Sequence, residues 1–372
     1  MKVVNTGNTY LIYDDNLKTY DQLPAKTYRW GFSKMTGFSL EETEDIAVKE
    51  KIYGPHQLKV NKIMNAFKAF ERNLGVILSG DKGIGKSVCA KLLAQNAIAA
   101  GYPVILINCY VPGIADYLAS IKQEVVVIFD EFDKTFKIKS DDEGGDSQSE
   151  MLALFDGMSL GKKMFVVTCN KLNNLNEFLV NRPGRFHYHL RFDYPTPAEV
   201  REYLQDKIPE SAYGEIDKVI SFSSRVDINY DCLRAIAFEL AHGETFENAI
   251  RDLNIINTES RDEYVVNAIF EDGTKAVCKR AYVDFYGCDD EMDICLTYGD
   301  EGDYLYVTFD PNDNMYDSER NVTVVRGADL KDIEWRDRHG DCIEKDEDLP
   351  TQAKLLYLTF KRKGAKSIHY AV

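Results

Sequence analysis

Residues Gly80-Asp81-Lys82-Gly83-Ile84-Gly85-Lys86-Ser87 have the spacing G-x-x-x-x-G-K-S. Glycines at these positions let a backbone curl until its N–H groups point at phosphate oxygens. A lysine at the end of such a loop reaches the β- and γ-phosphates of ATP, and the following serine ligates Mg²⁺. The loop works only between a strand and a helix, because the helix start brings the positive end of its dipole to the anion. The apolar run LGVILSG precedes it and SVCAKLLAQNAIAAG follows. A chance glycine turn would have no reason to carry both flanks.

A second constellation lies downstream. VVVIFDEFD is an apolar strand that ends in Asp130 and Glu131. Asp130 would hold the Mg²⁺ shell, and Glu131 would polarise an attacking water as general base. The bland alternative is a strand ending in solvated acids, which the upstream phosphate loop disfavours. FVVTCN is another buried strand, ending in Asn170, an amide able to orient that water. In NRPGRF, Arg182 and Arg185 flank a Pro-Gly turn. They are either solvated surface cations or groups that stabilise transition-state charge on a γ-phosphate. His187 and His189 are two apart with no third ligand cluster, so they read as flanking a strand, and no metal beyond Mg²⁺ is expected.

These residues need elements to place them. From residue 74, continuous apolar runs (LGVILSG, PVILIN, EVVVIFD, KKMFVVTCN) alternate with helical segments. That grammar predicts a parallel sheet covered on both faces. Residues 197–255 read as helices. Residues 256–372 read as strands, with a hairpin turning at Asp272-Gly273. This last third holds 26 acidic and 15 basic residues, a net of −11 out of −16 for the chain. The first fifty residues read as two or three aromatic-rich strands. The expected division is a β-rich segment 1–50, a nucleotide-binding α/β domain 51–196, a helical lid 197–255 and an acidic β-rich domain 256–372.

A length of 372 residues, 44% hydrophobic and 28% charged, suits about two globular domains. No apolar run is long enough to span a membrane, and the N-terminus lacks a secretory pattern. The eight cysteines form no CxxC pair, so a zinc ribbon is excluded and reduced thiols in the cytoplasm are expected. The acidity speaks against a generally basic nucleic-acid binder. No HExxH occurs, which excludes a fused zinc protease. The cluster Lys361-Arg362-Lys363-Gly364-Ala365-Lys366 would contact an anionic partner or lie solvated.

The ordered set GDKGIGKS, VVVIFDEFD, LALFDGMS, FVVTCN and NRPGRF resembles an AAA+ ATPase, and LFDGM with RPGRF is similar to the narrower AAA clade of remodelling ATPases. GVILSGDKGIGKS also resembles AAA-family ATPases encoded by phages and prophages, which would place the protein in a host cytoplasm. The resemblance covers about residues 50–255. It implies an α/β P-loop NTPase fold with a helical lid, ATP and Mg²⁺ as ligands, and a ring homo-oligomer of hexameric type with ATP at subunit interfaces. It implies that Arg182 and Arg185 are arginine fingers acting in trans, that Tyr53 and Gly54 pack adenine, and that Arg234 in YDCLRAIAFEL is a lid arginine touching the γ-phosphate. The AAA clade usually lacks that last residue.

Two functions stay open. One is a remodelling motor acting on a protein substrate chosen by the terminal β-rich regions. Tyr110-Val111 would be its pore loop, though Pro112 interrupts the pattern and Tyr110 could equally pack at a turn. The acidic run Asp141–Asp146 would be a second pore loop or a solvated stretch. The other function is an ATP-gated loader or assembly switch on a replication or nucleic-acid complex.

Overall fold

The computed structural model describes the chain apart from residues 45, 49–50, 138–146, 158–160, 225, 256–261, 286–290, 300–301, 318, 344–348 and 364–372. The acidic run 141–146, Met158 of the LFDGM motif and residues 364–366 of the basic cluster lie outside the described residues. Two compact units are present, residues 1–193 and 194–372.

In the first unit the elements run β1 (Lys2–Thr6), β2 (Thr9–Tyr13), β3 (Thr27–Ser33), β4 (Gly37–Glu42), α1 (His56–Ala69), β5 (Leu74–Ser79), α2 (Lys86–Ala99), β6 (Val104–Ile107), α3 (Ile114–Ser120), β7 (Val125–Phe129), α4 (Phe132–Thr135), α5 (Ser147–Phe155), β8 (Lys163–Cys169) and β9 (Tyr188–Arg191). Seven strands form one sheet in the order β4-β3-β6-β7-β8-β5-β9. All its pairings are parallel except that of β4 with β3. Every residue of β5, β7 and β8 is buried. That is why these strands read as unbroken apolar runs rather than alternating ones. The core on one side joins Phe129, Phe132, Phe136, Phe155, Phe165 and Phe186. Strands β3 and β4, from the first fifty residues, extend this sheet, with Thr27 level with Val104. β1 and β2 form a separate two-stranded ribbon.

The second unit opens with α6 (Pro197–Lys207), α7 (Ile216–Ser223), α8 (Tyr230–Ala241) and α9 (Phe246–Asp252). Three of these starts are capped by side chains that satisfy orphan N–H groups. Thr196 and Glu199 make a reciprocal capping box, Asn229 accepts from the Cys232 N–H and Thr245 from the Asn248 N–H. Then follow β10 (Asp262–Phe270), β11 (Lys275–Val283), β12 (Met292–Tyr298), β13 (Asp303–Phe309), β14 (Met315–Asp317), β15 (Val322–Arg326), β16 (Leu330–Arg336) and β17 (Leu355–Arg362). They form an antiparallel half-barrel in the order β14-β15-β17-β10-β11-β12-β13-β16. Its buried face is lined by alternate residues such as Leu305, Val307 and Phe309. Asp272 and Gly273 turn the β10–β11 hairpin, Gly273 at φ 83°.

Candidate functional site

β8 lies between β7 and β5, and all three are parallel, so their C-terminal ends meet at one edge. The polar residues of the motifs begin there because strand interiors are buried and paired. Gly80–Ser87 follows β5, Asp130-Glu131 follows β7, and Asn170 follows β8. The structure thus brings these three groups together.

The phosphate-loop glycines take conformations that other residues rarely adopt: Gly80 has φ 141°, Gly83 80° and Gly85 99°. A Cβ on Gly80 would run into the Phe192 carbonyl oxygen and the end of Ile84. The Phe192 N–H in turn donates to the Ser79 carbonyl at 2.8 Å, so the segment after β9 braces the loop. Lys86 opens the 14-residue helix α2, whose first turn has no side-chain cap, leaving its N–H groups for an anion. The Lys86 ammonium is buried and donates to the carbonyls of Gly80, at 2.6 Å, and Asp81. Burial lowers its pKa, and Cys169, Asp81, Asp133 and Asp130 pull the other way.

Thr168, on β8, ties the second motif together. Its hydroxyl donates to Asp130 Oδ1 at 2.7 Å and accepts from the Glu131 N–H at 2.8 Å. Glu131 sits in the left-handed region, φ 49° and ψ 47°, a strained backbone for a non-glycine residue. Its carboxylate meets the Lys134 ammonium at 2.5 Å, which raises the lysine's pKa. Asp133, 8% exposed, accepts from the N–H groups of Asn170 at 3.1 Å and Lys171 at 3.3 Å and so fixes the end of β8. Sequence reasoning missed Thr168, Asp133 and Lys134. Only their short offsets from the named residues hinted at them.

The Ser87 hydroxyl and the Asp130 carboxylate, both exposed, are hard oxygen donors of the kind Mg²⁺ takes. Among the described residues no cluster of three or more His, Cys, Asp or Glu side chains could cage a metal. One carboxylate and one hydroxyl suit an ion that keeps water and phosphate oxygens. The donor set and the glycine cradle therefore fit Mg²⁺ with a nucleotide.

Tyr53 is buried and Gly54, at φ 74°, leads into α1. Two residues on, His56 stacks on the Phe192 ring at 5.1 Å, and its Nε2 lies 3.4 Å from where a Cβ on Gly85 would be. His56, two residues past Gly54, thus lies beside the phosphate loop.

The two arginines of NRPGRF differ. Arg185 is 9% exposed and grips both Asp156 carboxylate oxygens, Nη2 to Oδ2 at 2.6 Å, while Nη1 donates to the Phe178 carbonyl at 2.6 Å. This pairing holds the Asp156 carboxyl below the usual carboxylate range. Arg182 is exposed, its guanidinium 5.5 Å from the centre of the Phe178 ring. Arg234 lies in the second unit, on the exposed face of α8, 3.4 Å from Asp231 one turn earlier. His189 Nε2 pairs with Ser79 Oγ at 2.7 Å, and the His187 ring packs edge-on against Phe70. Tyr110 packs at a turn: its ring meets Phe136 edge-on at 5.5 Å and its hydroxyl donates to Glu150. Burial, with that hydrogen bond, pushes its pKa up to about 12.

Comparison with known proteins agrees with this architecture. The sequence model of the ATPase family associated with various cellular activities (AAA) matches residues 76–194. The chain is 27% identical over 154 residues to the putative ribosome biogenesis ATPase nvl of Dictyostelium discoideum, covering 36% of this chain and 18% of that protein. It is 31% identical over 137 residues to the 26S proteasome regulatory subunit 7 homolog of Schizosaccharomyces pombe, covering 32% and 31%. It is 26% identical over 199 residues to the ATP-dependent zinc metalloprotease FtsH 1 of Symbiobacterium thermophilum, covering 48% and 32%. The chain spans less than a third of the length of each of these relatives. Among the described residues no helix is long and apolar enough to cross a membrane. The family likeness of this chain, to the AAA ATPases, thus lies in residues 76–194.

Proposed function

We propose that the protein is an ATP-hydrolysing remodelling motor that works as a ring of identical subunits, with ATP bound at the subunit boundaries. One observation carries the reading: the ends of β5, β7 and β8 present a phosphate loop, a carboxylate pair and a polar amide at a single edge. Gly80–Ser87 cradles the phosphates through backbone N–H groups, and Lys86 leaves its loop carbonyls for the β- and γ-oxygens. Ser87 and Asp130 hold Mg²⁺, which neutralises charge on the phosphates. Glu131 accepts the proton of the attacking water, and Asn170 orients that water. Tyr53 and Gly54 face the base. Arg182 reaches a neighbour's nucleotide, and Arg185, committed to Asp156, sets the turn that carries Arg182. The relatives named for ribosome biogenesis and for the proteasome support a protein substrate, chosen by the terminal β-rich regions.

The test is the mass in solution of Glu131→Gln with and without ATP and Mg²⁺. A shift to about six protomers supports the ring. A protein that binds ATP and stays monomeric overturns it.

The tethering of Tyr110 favours a second reading, an ATP-gated loader or assembly switch on a replication or nucleic-acid complex. Tyr110→Ala separates the two. A motor loses substrate processing while ATP turnover continues, whereas a switch is unaffected and its ATPase is stimulated by DNA.

A further inference from the structure

We propose that Phe178 is the positioning residue for Arg182: its ring carries the guanidinium and so aims it across the subunit boundary. The inference rests on the reading that Arg182 reaches a neighbour's nucleotide. The Arg182 guanidinium carbon lies over the Phe178 ring, 5.5 Å from its centre. A cation there is attracted by the negative face of the ring, and an aliphatic side chain offers no such face. The backbone at Arg182 is set independently of that contact. Asn181 turns in the left-handed region at φ 57° and Pro183 follows. The Arg182 carbonyl accepts from the N–H groups of Arg185 at 2.9 Å and Phe186 at 3.0 Å. What the backbone leaves open is the direction of a long, exposed side chain, and the Phe178 ring settles it.

The ring is itself held from inside the domain. The Phe178 N–H donates to Asn176 Oδ1 at 2.9 Å, and its carbonyl accepts from Arg185 Nη1 at 2.6 Å. Asn176 and Arg185 are both buried. The Asn176 N–H donates to Oε1 of the fully buried Gln148 at 2.7 Å, and Asp156 clamps Arg185. Leu175 and Leu179 on either side join the core, whereas Phe178 is turned outward and is 45% exposed. A buried polar network therefore ends in one exposed ring, and that ring carries one exposed cation. Such a contact adds little to the stability of the fold at an exposed site. What it changes is the number of directions Arg182 samples before a neighbour's γ-phosphate arrives. A group already aimed needs less ordering to reach the transition state.

The experiment measures turnover of the full chain with ATP and Mg²⁺, alongside its mass in solution and its melting temperature. Phe178→Ala should lower kcat ~2–5-fold, the range such a contact allows, with KM, assembled mass and melting temperature unchanged. Phe178→Leu, apolar but without a ring, should fall as far. Phe178→Tyr and Phe178→Trp should keep the parent rate. Adding Phe178→Ala to Arg182→Ala should change nothing more, because the ring acts only through that arginine. If Phe178→Leu matches the parent while Phe178→Ala is slow, or if Phe178→Ala no longer assembles, the side chain is packing surface and the proposal falls. It falls too if Phe178→Ala slows the Arg182→Ala protein further. If Arg182→Ala is slow and Phe178→Ala turns over normally, the positioning role is wrong and the reading of Arg182 stands. If Arg182→Ala turns over normally, the reading of Arg182 fails and the role of Phe178 with it.

Discussion

In the seven-stranded sheet, residues near the strand ends are held by atoms from far along the chain. Asp130 and Glu131 hang on Thr168, Asn170 on Asp133, and Arg185 on Asp156. In the eight-stranded sheet several turns close on their own polar groups, Asp272 with Thr274, Asp310 with Asn312, Arg326 with Asp329, and Asp337 with the N–H groups of His339 and Asp341, and the long-range pairs, such as Lys363 with Glu263, are exposed ones along the strands. The cause is strand direction. Parallel neighbours send all their C-terminal ends to one edge, while antiparallel neighbours divide theirs between two. A parallel sheet can therefore gather chemistry from distant segments at a rim. An antiparallel half-barrel instead offers a face.

That contrast can be broken at several points. Glu131→Gln should lower ATP turnover ~10²–10⁴-fold with nucleotide binding kept, measured by phosphate release and by fluorescent-nucleotide titration. Arg182→Ala should lose ~10³-fold, and mixing it with Glu131→Gln subunits shows whether the two act in one shared site. In the other sheet, Phe309→Ala removes a fully buried ring and should cost about 3–5 kcal/mol. Calorimetry should show this as a lowered transition, and at temperatures below it nucleotide affinity should be unchanged. If affinity falls, the two sheets are energetically coupled. Arg185→Ala should cost about 1–2 kcal/mol, since Asp156 is partly exposed once unpaired. It differs from Arg182→Ala in moving the melting temperature as well as the rate.

The last effect is a matter of pH. Lys163 is fully buried on β8, donates to the carbonyls of Ile121 at 2.9 Å and Gly161 at 3.2 Å, and burial lowers its pKa from 10.5 to about 8. Between these values the unfolded chain holds the proton and the folded one does not, so this lysine adds stability as pH rises from about 8 to 10.5. The buried thiols Cys89 and Cys169 act oppositely, their pKa values pushed up from 9.0 to about 12, so stability is lost as pH climbs past 9.0. Lys163→Met isolates the lysine. The melting temperature of the unaltered protein minus that of the variant should increase across the window.

The phosphate loop and the apolar runs at 74–79, 125–129 and 163–169 were legible because each is continuous along the chain and has one physical explanation. Thr168, Asp133 and Lys134 were not, because their roles depend on which strand ends lie side by side and on the corner at Glu131. Likewise nothing in TYRWGF states that β3 pairs with β6, since that is a register between distant segments. Arg182 and Arg185 look equivalent in NRPGRF. Only the position of Asp156 separates them.

The bracing of Gly80 by Phe192 has a consequence for synthesis. β5 is made before its two neighbours in the sheet, β8 and β9, and the support under the phosphate loop arrives only with residue 192. A nascent chain leaving the ribosome therefore carries an unsupported loop until almost all of residues 1–193 have emerged. Nucleotide can then act on the growing polypeptide only late, when the final parallel strand docks. Ribosome-bound chains stalled before and after that point should differ in ATP capture.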